Sequence, residues 1–199
     1  QIYTCNSKAW KWCTITSYTW QSEPHGLARG SSQDENGNPD AMNVAYGGVV
    51  NSNRIQINIG VRHKTSDNIK IKKAFTVAIA DAPHEMEADY LGCISGKEEP
   101  DKIKKAGLHV EKSKNVDAPI ITDFPLSLEC KVEEINEYGK TLRIVAEIVN
   151  VVADESVLGP DDKVDLKKLN PLCFDVSNVA YVTLGDFAGH AFSDGNKLK

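Results

Sequence analysis

Between Arg54 and Val61 the chain alternates without a break, with Ile55, Ile57, Ile59 and Val61 on one side and Arg54, Gln56 and Asn58 on the other. A period of two is that of a half-buried strand. Immediately before it, residues 41–51 carry small side chains and the pair Gly47-Gly48, where a flat ligand can lie close against the backbone. Immediately after it come Arg62, His63, Lys64, Thr65 and Ser66. A guanidinium, an ammonium and two hydroxyls within so short a stretch form a set able to hold a phosphate.

Other segments repeat the strand pattern. Residues 73–80 set Phe75, Val77 and Ile79 on one face and the small Ala78 and Ala80, with Thr76, on the other. Residues 126–135 alternate again, Tyr138-Gly139-Lys140 makes a turn, and residues 141–153 are β-branched on both faces, which predicts a central strand buried on both sides. Glu35 to Pro39 is a turn signal leading a hairpin into the core.

Helices are few and short. Pro83 is expected to start one that Gly92 stops, and a second spans residues 101–106 before Gly107. A third is expected near Asp67, capped by Thr65 or Ser66. Residues 154–170 read as a solvated excursion, followed by short extended pieces. Strands at short spacing with few helices predict a mainly β fold, a β-barrel with short helices, and not a parallel α/β sheet.

A chain of 199 residues with 41% apolar composition fits one medium domain with a sizeable core. Residues 1–33 hold Trp10, Trp12 and Trp20 and are read as an N-terminal extension, with a short strand over residues 11–20, while residues 34–199 form the domain. Lys+Arg 23 against Asp+Glu 28 leaves a net charge of −5, which speaks against nucleic acid as the main partner. No apolar run approaches the ~18 residues of a membrane helix, and the first residues lack a signal peptide's apolar centre, so no membrane partner and a cytoplasmic location are expected. The five cysteines, Cys5, Cys13, Cys93, Cys130 and Cys173, are widely spaced, which predicts reduced thiols packing as small hydrophobes.

Read from composition alone, the Arg62 loop has two accounts: a phosphate grip with free N–H groups at a helix start, or a polar hairpin end with an ordinary cap. His84-Glu85 lacks a second histidine four residues on, so no zinc helix is predicted. Neither a dinucleotide fingerprint nor a P-loop occurs, and any nicotinamide cofactor, NADH or NADPH, would bind transiently. Glu129 and Glu147 are placed on outward strand faces, and Lys102 reads as part of a solvated charge run that can reach an anion. No catalytic acid, base or metal ligand is assigned.

In their order along the chain, DENGNPDAMNVAYGGVVNS, INIGVRHKTSDNI, ADYLGCISGKEEPDKI, DAPIITDFPLSLECKVEEI, IVAEIVNVV and LGDFAGHAF resemble the flavin reductase-like, FMN-binding split-barrel proteins, in particular their flavoredoxin branch. The resemblance runs from about Asp34 to Lys199. It implies a split β-barrel, a homodimer, and FMN at the barrel edge near the subunit interface. By the same resemblance Asn43, Val44, Ala45 and Tyr46 lie beside the flavin ring or ribityl chain, and Asn51 and Ser52 at the far end of that strand. Arg62, Lys64, Thr65 and Ser66 match the phosphate-holding loop, and Lys102 a lysine near the flavin. Tyr46 stands where a tryptophan is common. The implied activity is NAD(P)H-dependent flavin reduction, with hydride passing from a nicotinamide to FMN N5. The alternative is a flavoredoxin-type electron carrier that exchanges electrons with a redox protein partner.

Overall fold

The computed structural model describes residues 2–5, 25–26 and 28–199. The strand expected over residues 11–20 and all three tryptophans lie outside the described residues. In chain order the elements are β1 (Ile2–Cys5), β2 (His25–Gly26), β3 (Ala28–Gln33), β4 (Pro39–Val44), β5 (Tyr46–Asn51), β6 (Arg54–Gly60), α1 (Lys64–Lys72), β7 (Ala74–Ile79), α2 (Glu85–Cys93) and α3 (Lys102–Lys105). They continue with β8 (Val110–Lys112), β9 (Pro119–Ile121), β10 (Leu126–Tyr138), β11 (Thr141–Asp154), α4 (Leu166–Leu169), β12 (Leu172–Asp175) and β13 (Ala180–Thr183).

One antiparallel sheet of eight strands dominates, in the order β4-β3-β7-β10-β11-β6-β5, with β1 added to β11. β4 and β5 end this order on opposite sides, yet only Ala45 separates them in the chain. The sheet must therefore curl until its two edges meet at Ala45, and since β4 and β5 are not paired the barrel stays split there. The mainly β fold, a split barrel with short helices, is thus the fold read from the sequence. Residues 28–33, read there as part of the extension, form β3 between β4 and β7.

The alternation seen in the sequence decides what the curl encloses. Ile55, Ile57 and Ile59 of β6, Phe75 and Val77 of β7, Leu126, Leu128 and Cys130 of β10, and Leu142 and Ile144 of β11 meet in the barrel core, with Val44 from β4 and Ile69 from α1. The opposite face of β4 and β7 is built from Ala41 and Ala78, continued by Ala80 just past β7. Such small side chains let a second layer approach closely, and Ala88 and Leu91 of α2, Ile103 of α3 and Ile121 of β9 pack there. β11 is central as expected, pairing with β10 along one edge and with β6 and β1 along the other. Register shifts after Glu129 and after Val132 bend β10 where the sheet curls.

Several boundaries differ from the sequence reading. α1 begins at Lys64, not near Asp67, and neither Thr65 nor Ser66 caps it: His63 is the extended N-cap residue. The hydroxyls that were expected to cap are drawn inward, Thr65 Oγ1 to Asp40 Oδ2 at 2.6 Å and Ser66 Oγ to the Gly60 carbonyl at 2.7 Å. Pro83 lies in a 3-10 turn, Ala82–His84, that leads into α2. Gly92 does not stop α2, which runs through it to Cys93 and ends as Ile94 turns extended. Glu129 does not face solvent but is buried, bonded by Ser113 Oγ, by Asn115 Nδ2 at 2.7 Å and by Asn150 Nδ2 at 2.5 Å. Cys130 and Cys173 are buried as expected, whereas Cys93 is exposed.

Candidate functional site

The Arg62 loop leaves the end of β6 and is anchored at both sides. Val61 N donates to Lys140 O at 3.0 Å in the β10–β11 turn, and His63 N returns to Gly60 O at 3.2 Å. The loop then enters α1, whose first intrahelical donor is Ser66 N, bonded to His63 O at 3.1 Å. The N–H groups of Lys64 and Thr65 precede that bond and point out of the positive end of a nine-residue helix. Arg62 is exposed and Lys64 half-buried, and neither makes a hydrogen bond or ion pair with a described residue. Two cations therefore stand beside two backbone donors that have no partner among the described residues.

Asn43 to Tyr46 come to the same end of the barrel. Tyr46 lies opposite Asn58 and Gly47 opposite Ile57, so this end of β5 runs beside the last turn of β6 before the loop. Tyr46 is 62% exposed. Ala45, Gly47 and Gly48 are half-buried and offer almost no side chain, a surface on which a flat ring can rest. Asn43 faces α2, with an Oδ1 that has no hydrogen-bond partner among the described residues, and its amide occupies the space a Cβ at Gly92 would need. Val44 points the other way, into the barrel core.

Not all the predicted residues gather here. Asn51 lies opposite Arg54, at the far end of β5, and its side chain accepts from Asn53 N at 3.1 Å to close the turn into β6. Together with exposed Ser52 it is separated from the Arg62 loop by the length of β6, roughly 20 Å for seven residues. Thr65 and Ser66 are buried, and they offer the site a helix turn rather than hydroxyl donors.

Lys102 is not on a solvated run but is 3% exposed beneath the loop. Its ammonium donates to Leu91 O at 3.0 Å and Ile94 O at 2.8 Å, at the C-terminal end of α2, and lies 3.6 Å from Asp40 Oδ1. Burial lowers its pKa, and the attraction of Asp40 opposes that shift. Asp40 had no signal in the sequence. Its partners Thr65 and Lys102 are far along the chain, and a lone aspartate at the start of a strand is ordinary.

Arg29 also escaped the sequence reading. Its guanidinium is fully buried on the face of β3 shared with Asn43. Burial pushes its pKa down to about 10, against the pull of Tyr181, Asp89 and Glu85. Tyr181, whose hydroxyl donates to Asp89 at 2.5 Å, is pushed up to about 12 by burial and that bond.

The donor set fits a flavin mononucleotide. Arg62, Lys64 and the first turn of α1 suit a phosphate, and Ala45 to Gly48 suit a ring. No cluster of three or more His, Cys, Asp or Glu that would hold a metal occurs among the described residues.

Comparison with known proteins agrees with the fold. Residues 20–182 match the flavin reductase like domain. The flavoredoxin of Desulfovibrio vulgaris (Miyazaki F) superposes with a TM-score of 0.83 at 31% identity, over 87% of this chain and 94% of that one. A flavoredoxin from Methanosarcina acetivorans gives 0.82 at 26% identity, over 88% and 93%. A flavin reductase-type protein with a split barrel domain from Shewanella frigidimarina gives 0.75 at 18%, over 94% and 92%, and shares the fold. No curated protein matches the chain. A family match across most of the chain, together with a flavoredoxin alike over nearly its whole length, makes this protein a member of the flavin reductase-like split-barrel family, in its flavoredoxin branch.

Proposed function

We propose that this protein binds FMN and works as an NAD(P)H-dependent flavin reductase. The observation that carries the reading is the meeting of Arg62, Lys64 and the open first turn of α1 with the small residues Ala45, Gly47 and Gly48 at one end of the barrel. FMN supplies the redox chemistry when bound, accepting reducing equivalents at N5 and passing them on. The chain's own part is to bind and orient. Arg62 and Lys64 would offer charge-assisted contacts to phosphate, α1 would add two N–H donors and its dipole, and Ala45, Gly47 and Gly48 would let a flat ring lie close to the backbone.

The likeness to flavoredoxins favours a second reading, an electron carrier with bound FMN that exchanges electrons with another redox protein. Anaerobic spectroscopy separates the two. Rapid bleaching of the flavin by NADH or NADPH supports the reductase, and reduction by a ferredoxin-like donor alone overturns it in favour of the carrier.

The working unit we propose is a homodimer. β5 is an edge strand among the described residues, with exposed Tyr46 and Val50, and the C-terminal residues expose Phe187, Phe192 and Leu198, apolar surface that a partner copy could cover. A cytoplasmic location is proposed with it, consistent with three free thiols among the described residues. No helix of the described residues is long and apolar enough to cross a membrane.

A further inference from the structure

We propose that Asp40 sets how loosely the phosphate end of the flavin is held, making FMN an exchangeable guest. This rests on the reading above, that the Arg62 loop and α1 hold that phosphate. Asp40 stands at the start of β4 with its side chain 3% exposed. One oxygen accepts from Thr65 Oγ1 at 2.6 Å, inside the first turn of α1. The other faces the Lys102 ammonium at 3.6 Å. A Cβ at Gly96 would collide with the Asp40 carboxylate and come within 3.2 Å of Lys64 Cδ, so the carboxylate and the outer part of the Lys64 side chain both lie against this glycine.

A fixed negative charge thus sits at the positive end of the helix. It takes up part of the field that would otherwise act on a phosphate dianion, and it repels that dianion through a poorly screened interior. A carboxylate can offer a phosphate dianion no donor in return. Lys102, 3.6 Å from Asp40 and donating to the carbonyls of Leu91 and Ile94, offsets part of this charge, and removing the Asp40 charge leaves the surroundings of the loop more positive. Arg62 and Lys64 attract the phosphate while Asp40 limits how far that attraction goes. Flavin held in this way can leave after reduction, as a reductase that treats flavin as a substrate requires.

The test compares FMN with riboflavin, which presents the same ring without a phosphate. Dissociation constants for both are measured on the full chain, on Asp40→Asn and on Asp40→Ser, with circular dichroism confirming folding. The ratio of the riboflavin to the FMN constant isolates the phosphate from any general loosening of the ring site. A ratio about tenfold higher in a variant that lacks the charge is the expected result. An unchanged or lower ratio in whichever variant folds overturns the role of Asp40 while leaving the flavin reading intact. Failure of the unaltered chain to bind either flavin overturns both.

Discussion

Glu129 shows what alternation in a sequence does and does not reveal. The period of two placed Leu126, Leu128 and Cys130 on one face and Ser127 and Glu129 on the other, and the barrel core confirms that division. What the period cannot report is the cover. The loop after β8 folds over the outer face and brings Ser113 and Asn115 onto the carboxylate, while Asn150 reaches it from β11. Glu129→Ala leaves three donors facing an apolar gap, and a loss of about 3 kcal/mol or more is expected in urea unfolding. Glu129→Gln, which keeps an acceptor, should lose less.

Arg29 presents the opposite case. Burial of the Arg29 guanidinium outweighs what Tyr181, Asp89 and Glu85 return, so Arg29→Met should stabilise the fold by roughly 1–4 kcal/mol. The sign with pH follows from its pKa, which lies below the ordinary value when folded. Burial penalises the charged form at every pH below about 10, and the penalty lifts only as pH rises beyond that towards the unfolded value. The stabilisation by methionine should therefore be level across neutral pH. A melting temperature for Arg29→Met at or below that of the unaltered chain would count against this account.

At the scale of elements, the strands were legible and the helix ends were not. The alternation over residues 54–61 is β6, and the doubly β-branched run is the central β11, because a strand's period is set by which face is buried. Helix ends depend on who claims the polar groups. Thr65 and Ser66 have the chemistry of caps, yet Asp40 and Gly60 hold their hydroxyls inside the first turn of α1. Gly92 has the look of a stop, yet it lies within α2 because Asn43 of β4 fills the space beside it. A double-mutant cycle tests that contact. Gly92→Ala alone should displace the Asn43 amide and destabilise, whereas in an Asn43→Ala background it should stabilise α2 by up to ~1 kcal/mol through helix propensity. Equal effects in both backgrounds would mean that Asn43 does not account for the glycine.

At the scale of the molecule, the single residue between β4 and β5 explains both the fold and the placement of the candidate site. Curling the sheet until its edges meet at Ala45 brings the small-residue stretch beside the Arg62 loop, and it carries Asn51 and Ser52 to the opposite end of β5. The sequence showed both stretches but not their distance, since strand pairing decides which end of a hairpin meets which loop. The most direct measurement of the central claim is an equilibrium titration of the purified chain with FMN, repeated on Arg62→Ala. The account predicts one FMN per chain and binding roughly tenfold to a hundredfold weaker in the variant, the worth of a charge-assisted contact. Absence of FMN binding to the unaltered chain, or an affinity that Arg62→Ala leaves unchanged, would contradict it.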